Sequence, residues 1–422
     1  MTFKDAQHIH CIGIGGIGLS ALARLFRAEG KTVTGSDAHS SLITDGLIKE
    51  GIEVLYGVDA GRIPKECDLV VYTIAIPQSN KELLEAHNRS ITALTYPQAL
   101  GEITKNYTTI AVSGTHGKTT TTAMLASAMK GAGVNPTVIV GSLIRTEGDV
   151  HTNFIQGDSK YLVVEACEYR RSFLQLHPAH LLITNIDNDH LDYYKDLDDI
   201  TSAFQEFTDK VPHDGYVITH ENLPVNHPQK ISADDIEVLP QSLSVLGAHN
   251  RDNAKLVLGI CRALGIDEHG ARKGLYEFSG TWRRMEHKKT LAKGQVIYDD
   301  YGHHPTEIKA TLEAIREKFP MGKHRLFVIF QPHLYSRTKL LLDDFAGSFT
   351  LADKVCILPI YAAREAHDDS ISSYDLVEKT ENAINLENFE EAIKFVEKKT
   401  HNGDVILTIG AGDVYTLIDK LS

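Results

Sequence analysis

The sequence predicts an α/β protein of three domains, each built around a mostly parallel sheet, and three observations carry that reading. Short apolar runs of strand character alternate with stretches of helical period, the rhythm of units that pack helices over a parallel sheet. The rhythm restarts twice, at Thr108-Thr109-Ile110-Ala111-Val112 and again after Ser279-Gly280-Thr281. A length of 422 residues suits about three domains, and 42% apolar residues are enough to pack a core in each.

In the first block, strand-like runs at 8–12, 31–35 and 69–73 alternate with helical stretches at 17–29 and 80–87. In the second, the run from Thr108 to Val112 is followed by a helical stretch at 120–130, buried-strand candidates at 161–165 and 180–184, and a helical stretch at 250–264. The third reads as strand 296–299, helix 306–318, strand 325–330, helix 338–351, strand 354–358, strand 404–409 and a closing helix 413–421. Boundaries near 102 and 280 follow, giving domains 1–102, 103–280 and 281–422.

Charge and composition exclude several classes. With 43 Lys and Arg against 56 Asp and Glu, a net charge of −13 argues against neutralising a polyanion backbone, so nucleic acid is not an expected partner. Small anions remain suitable ligands, since they need only oriented N–H groups or a local cation. Cys11, Cys67, Cys167, Cys261 and Cys356 show no paired spacing, which suits a reducing cytosol. No basic and apolar leader opens the sequence, and no apolar run approaches the roughly 20 residues needed to cross a bilayer. A cytoplasmic protein without membrane insertion is expected.

Gly13-Ile14-Gly15-Gly16-Ile17-Gly18 lies between a strand and a helix, where glycines let backbone approach a pyrophosphate at the helix N-terminus. Asp37 ends the next strand, where an acid can meet a ribose hydroxyl. The pattern suits NAD and UDP equally, and a tight turn in a sheet would read the same.

Ser113-Gly114-Thr115-His116-Gly117-Lys118-Thr119-Thr120 follows a strand and opens a helix. It resembles a P-loop, with Val112 where the strict pattern has its first glycine. Lys118 can supply a point charge to the β- and γ-phosphates of ATP, and the Thr119 hydroxyl can ligate Mg2+. A carboxylate is needed as well. Glu165, ending a strand, is the first candidate and His190 the second; a helix cap and a structural histidine are the competing readings.

Taken together, these segments resemble the Mur ligases. The resemblance is carried, in order, by Gly13 to Gly18 with Ser36-Asp37, Gly114 to Thr121, Glu165-Ala166, Thr184-Asn185-Ile186 and Gly247-Ala248-His249-Asn250 with Asn253. It continues through Trp282-Arg283-Arg284, Asp299 to Glu307, and Phe330-Gln331-Pro332-His333. It implies a Rossmann-like UDP-sugar-binding domain, a central P-loop-type ATPase domain, and a Rossmann-like C-terminal domain that receives an amino acid.

The activity implied is ATP-dependent joining of L-alanine to the carboxylate of UDP-N-acetylmuramate through an acyl phosphate, in peptidoglycan precursor synthesis. Gly15, Gly16, Ile17, Gly18, Asp37 and His116 would meet the UDP-sugar. Gly114, Thr115, His116, Gly117, Lys118, Thr119 and Thr120 would hold ATP, with His249, Asn250 and Asn253 towards adenine, Arg283 towards the phosphates and Asp300 at the ribose. Thr119, Glu165 and His190 become Mg2+ ligands, and Tyr301, His303, His333 and Arg337 line the amino-acid pocket. Leu334 and Cys167 depart from the family pattern: the first removes a basic residue from that pocket, and the second is not read as a nucleophile because no base is placed beside it.

Three alternatives remain open to the sequence. A ligase that attaches an intact peptide to the same UDP-sugar shares most of these motifs, although Tyr301-Gly302 and Glu307 favour the alanine reaction by resemblance. A nicotinamide-dependent oxidoreductase would use Gly13 to Gly18 but leave Lys118 without a role. A nucleotide-binding switch would bind ATP indifferently to UDP-sugar and amino acid.

Overall fold

The computed structural model describes residues 3–145, 151–190, 193–363 and 365–421. The first sheet is parallel throughout and contains β1 His8–Ile12, β2 Thr32–Asp37, β3 Glu53–Tyr56, β4 Leu69–Tyr72 and β5 Thr92–Thr95, in the order β3-β2-β1-β4-β5. The direction of winding reverses between β1 and β4. The crevice outside the C-terminal ends of such a pair is where α/β sheets bind ligands, and the glycine loop follows β1 directly.

The second sheet contains β6 Thr108–Ser113, β7 Thr137–Arg145, β8 His151–Ile155, β9 Tyr161–Glu165, β10 His180–Ile183, β11 Val217–Thr219 and β12 Lys230–Ser232. Its order is β12-β11-β10-β6-β9-β7-β8, parallel except for the β7–β8 pair. In the third sheet, β13 Glu286–Thr290, β14 Val296–Asp300, β15 Leu326–Phe330, β16 Lys354–Ile357, β17 Ala383–Asn385 and β18 Val405–Ile409 run in the order β13-β14-β18-β15-β16-β17. Only β13 is antiparallel to its neighbour.

Central strands are buried on both faces, as parallel strands covered by helices must be. All five residues of β15 and of β18 are buried. The helices expected from periodicity form at Ile17–Ala28, Lys81–Asn88, Lys118–Gly131, Ala248–Ala263 and Pro305–Lys318. Asn80 caps the second of these by accepting from the Glu82 and Leu83 N–H groups.

Two expected helices differ. The stretch 338–351 forms two short helices, Tyr335–Leu340 and Leu342–Gly347, separated by Leu341 at φ −108°, ψ 23°. Phe345 in the second is fully buried, with its ring 5.6 Å from Phe330, so seating Phe345 and Phe330 together accompanies the break. The closing stretch is a 3-10 helix, Val414–Lys420, whose buried Val414 and Leu417 are three residues apart, the spacing that a 3-10 turn aligns.

Compactness groups the chain into two units: Met1–Glu237 with Asn253–Glu277, and Val238–Asp252 with Phe278–Ser422. The first unit contains two of the three sheets, and a buried polar joint fastens them. Arg24, on the helix that follows the glycine loop, donates to Asn153 Oδ1 on β8 at 2.5 Å and to the Glu50 carboxylate at 2.9 Å. Asn153 Nδ2 in turn donates to Ser20 Oγ at 2.8 Å and to the Ile17 carbonyl. The second unit contains the third sheet. No helix among the described residues is long and apolar enough to cross a membrane.

Candidate active site

The glycine loop is built by close approach. Gly13, at φ 81°, and Ile14 donate their N–H groups to the Ser36 carbonyl at 2.8 and 3.0 Å, while Gly15 N–H donates to Asp37 Oδ2 at 2.8 Å. A Cβ on Gly15 would lie 2.8 Å from that oxygen, and one on Gly18 would lie 2.5 Å from the Tyr96 ring. Gly16 precedes the helix Ile17–Ala28 without a side-chain cap, so the first-turn amides face the loop unshielded. Gly15, Gly16, Ile17, Gly18 and Asp37 are therefore brought together, with Asp37 already bound to the loop through one oxygen.

The phosphate loop leaves β6 at Ser113 and enters its helix at Gly117, whose φ of 81° a side chain would resist. The segment after β10 clamps it. Asn185 accepts from Thr115 N–H through its carbonyl at 3.0 Å and from His116 N–H through its side chain at 2.8 Å; Thr184 Oγ1 donates to the His116 carbonyl at 2.5 Å. His116 Nε2 is 3.2 Å from Asp187 Oδ2. The side-chain amide of Asn253 packs against Gly117, where an added Cβ would stand 3.0 Å from its Oδ1. Asn253 thus occupies the space that a side chain at Gly117 would need.

Thr119 Oγ1 donates to Glu165 Oε1 at 3.0 Å, and Glu165 Oε2 accepts from Gly141 N–H at 2.7 Å. Two hard oxygen donors at the mouth of a phosphate loop are the set that Mg2+ favours, so Thr119 and Glu165 fit that ion. His190 is placed differently: its Nε2 lies 3.5 Å from Glu168 Oε1, its backbone takes φ 55°, and its ring lies 4.7 Å from that of Tyr169.

Glu168 is the residue that sequence reasoning passed over. Almost fully buried, it places Oε2 2.8 Å and Oε1 3.1 Å from Lys118 Nζ. Lys118 also donates to the carbonyls of Gly114 at 2.6 Å and Thr115 at 2.9 Å. Burial alone would push the Lys118 ammonium down, but the charge of Glu168 holds it above the usual lysine range. The same exchange works in reverse on Glu168: burial is outweighed by Lys118 and His190, and the carboxyl stays below its ordinary value. The signal that could have revealed it was a second acid three residues beyond Glu165. Cys167, between them, keeps a solvent-facing edge, yet its thiol is pushed up to about 12 by the enclosing protein and by Glu168, a poor state for a nucleophile.

In the second unit, Tyr301, His303, His333 and Arg337 converge. The Tyr301 and His303 rings are 5.4 Å apart, His303 and His333 5.8 Å, and Arg337 Nη1 donates to His333 Nδ1 at 3.3 Å. Tyr361 stacks on His333 with ring centroids 5.8 Å apart. Leu334 is buried at φ 71° and begins the helix that carries Arg337. His249 and Asn250 belong to the same unit. Asn250 lies inside the helix Ala248–Ala263 and donates from Nδ2 to the Leu246 carbonyl at 2.6 Å.

Arg283 requires a correction. Expected to reach nucleotide phosphates, it is 2% exposed and turned into its own domain. Nε donates to Asp299 Oδ2 at 2.7 Å, Nη1 to the Gly412 carbonyl at 3.0 Å and Nη2 to the Gly410 carbonyl at 2.5 Å, and the Tyr415 ring centroid lies 4.5 Å from the guanidinium. Each of its three nitrogens donates to the fold, because a buried guanidinium must find acceptors inside the protein.

Asp300 is also buried, with Oδ1 accepting from Gly302 N–H and Oδ2 from Met285 N–H, both at 2.7 Å. Burial pushes its carboxyl up to about 6, against the pull of Arg284 and of those two N–H groups. A folded-state value above the unfolded one means that the native state holds the proton more tightly. The associated stability is present below the ordinary value of 3.8 and is lost as pH rises through about 6. In melting scans from pH 5 to 8, the wild type should lose ground to Asp300→Asn as pH passes 6. A constant offset between the two would contradict this.

A glycine loop and a phosphate loop in one compact unit, with a lysine, a threonine and paired acids at the second, define a nucleotide-dependent enzyme that handles phosphates. Residues 8–108 match the model of the Mur ligase family catalytic domain, 112–243 the Mur ligase middle domain, and 283–412 the Mur ligase glutamate ligase domain. The chain belongs to the Mur ligase family. Among its relatives, the UDP-N-acetylmuramate–L-alanine ligase of Agathobacter rectalis is 41% identical, covering 100% of this chain and 99% of the relative. That of Lachnospira eligens is 39% identical over 100% and 99%. The crystal structure of UDP-N-acetylmuramate-alanine ligase from Thermotoga maritima superposes with a TM-score of 0.82 at 27% identity, covering 98% of this chain and 97% of that one. A murein peptide ligase from Psychrobacter arcticus shares the fold with a TM-score of 0.69 at 24% identity.

Proposed function

We propose that this chain is an ATP-dependent ligase that joins L-alanine to the carboxylate of UDP-N-acetylmuramate, supplying a peptidoglycan precursor in the cytoplasm. The observation that carries the proposal is end-to-end similarity to ligases of that activity. The Lys118, Thr119 and Glu165 arrangement at the phosphate loop supplies the chemistry such a reaction needs. We assign UDP-sugar binding to residues 1–102, ATP binding to 103–280 and amino-acid binding to 281–422.

The reaction begins with transfer of the γ-phosphoryl group of ATP to a carboxylate oxygen, releasing ADP and forming an acyl phosphate. The amine of L-alanine then attacks the acyl carbon, phosphate leaves with the C–O bond electrons, and the amine loses a proton as the amide forms. No side-chain nucleophile is needed, so the protein contributes position and charge. Lys118 meets the phosphates, and the N-terminus of the helix Lys118–Gly131 presents its first-turn amides to them. Asp37 and Gly15 to Gly18 orient the UDP-sugar with His116, while Asn253, His249 and Asn250 serve the adenine and Asp300 the ribose. Tyr301, His303, His333 and Arg337 receive the amino acid, the guanidinium pairing with its carboxylate. Thr119 and Glu165, with His190, would hold Mg2+, which when bound offsets charge on the β- and γ-phosphates.

The test is phosphate release by the purified protein with ATP and Mg2+, omitting UDP-N-acetylmuramate or L-alanine in turn. Each omission should abolish release. Release indifferent to both would reject the ligase reading, and a preference for the intact peptide over L-alanine would transfer the assignment to a peptide ligase.

A further inference from the structure

We infer that Glu168 is a positioning residue for phosphoryl transfer: a single buried carboxylate that sets both the Lys118 ammonium and the His190 ring. The inference rests on the ligase reading, since it takes Lys118 as the phosphate lysine and His190 as a metal-side histidine.

A carboxylate removed from water is costly unless charge and hydrogen bonds compensate it, and an apolar side chain would fill the same space at less cost. Glu168 is compensated by two groups the reaction uses. Lys118 Nζ lies 2.8 Å from Oε2 and 3.1 Å from Oε1, and His190 Nε2 lies 3.5 Å from Oε1. The backbone of Glu168 is anchored as well. Tyr194 OH donates to the Glu168 carbonyl at 2.5 Å, and Arg171 N–H donates to the same oxygen at 2.8 Å. His190 is held from a second side by the Tyr169 ring at 4.7 Å.

The turn after β9 divides labour between two acids three residues apart. Glu165 takes Thr119 at 3.0 Å, and Glu168 takes Lys118. An ammonium has three N–H groups, and those of Lys118 are engaged by the Gly114 carbonyl, the Thr115 carbonyl and Glu168. An arriving phosphate oxygen displaces the neutral carbonyls first, because the charged contact is the stronger. Glu168 then keeps the ammonium pointed into the loop during transfer. Its negative charge does not help to bind an anionic nucleotide. Its effect therefore falls on turnover rather than on ATP affinity.

Glu168→Gln keeps the shape and removes the charge. With UDP-N-acetylmuramate and L-alanine saturating, kcat should fall about 10- to 100-fold, while KM for ATP stays level or drops. Calorimetric titration with a non-hydrolysable ATP analogue should show affinity unchanged or tighter without Mg2+, and a smaller gain on adding Mg2+ than in the wild type, reporting the His190 arm. Glu168→Asp, which keeps the charge on a shorter arm, should recover part of kcat at the same KM. It carries the same test if the glutamine variant does not fold. A kcat within about threefold of wild type in the folded variants, or a KM for ATP that rises as kcat falls, would overturn the inference. Wild-type phosphate release that ignores UDP-N-acetylmuramate and L-alanine would instead overturn the ligase reading, so the two failures are told apart.

Discussion

Lys118→Ala is expected to lower turnover about 10²- to 10³-fold, the usual cost of removing one preorganised charge from a site where negative charge shifts during reaction. The effect should appear in kcat and kcat/KM together, because the loop Ser113 to Thr120 contains no second lysine or arginine to replace it. The geometry adds a stability consequence. Glu168 would lose the ammonium and keep the His190 Nε2 contact at 3.5 Å, and an acid left so placed in the interior destabilises the domain. The single variant should fold with a lowered melting temperature, and adding Glu168→Gln should restore the melt without restoring turnover. Near-wild-type phosphate release by Lys118→Ala would reject the assignment of the loop. A double variant that melts no higher than the single one would reject the pairing.

Arg283→Ala should act on stability rather than on ATP. Removing the guanidinium leaves the fully buried Asp299 with the Thr408 Oγ1 hydrogen bond at 2.6 Å and the charge of Lys288, and it strips a donor from the carbonyls of Gly410 and Gly412. Burial already pushes the Asp299 carboxyl up, with Arg283 as the first force opposing it. Breaking one side of a buried pair typically costs about 3–5 kcal/mol, which for a domain of this size is roughly 10 °C in melting temperature. At a temperature where the variant stays folded, KM for ATP should change little. A large rise in that KM with an unchanged melt would return Arg283 to the phosphates.

The two loops show how much of the site the sequence carries. Gly13 to Gly18 and Gly114 to Thr120 were readable because each needs glycine where backbone approaches backbone or takes positive φ, and each lies at a strand-to-helix junction marked by periodicity. The central strands were readable for a related reason: buried on both faces, β15 and β18 are almost wholly apolar, and β6 and β9 carry the apolar cores Ile110-Ala111-Val112 and Leu162-Val163-Val164. Edge strands were not. β13, Glu286-His287-Lys288-Lys289-Thr290, is polar along its length and half exposed, so it carries neither an apolar run nor a clean alternation.

Long-range pairing explains the remaining differences. Arg283 and Asp299 are 16 residues apart, and the carbonyls that complete the cage belong to residues 410 and 412; in sequence this arginine is indistinguishable from a solvated basic turn. Glu168 and Lys118 are 50 residues apart. In sequence Glu165 stands out by ending a strand, whereas nothing local marks Glu168, three residues on, as the partner of Lys118.

Local order determined what sequence could determine: three α/β sheets, the two phosphate-approaching loops, and the residue types ATP and a cation require. These depend on short-range sterics and on the period of apolar residues, which the chain carries wherever it folds. Tertiary structure decided which acid serves which partner, assigning Glu165 to Thr119 and Glu168 to Lys118, and turned Arg283 inward to Asp299. The physical reason is that charge pairing in a buried site depends on distance and desolvation, and both exist only after strands far apart in sequence lie side by side.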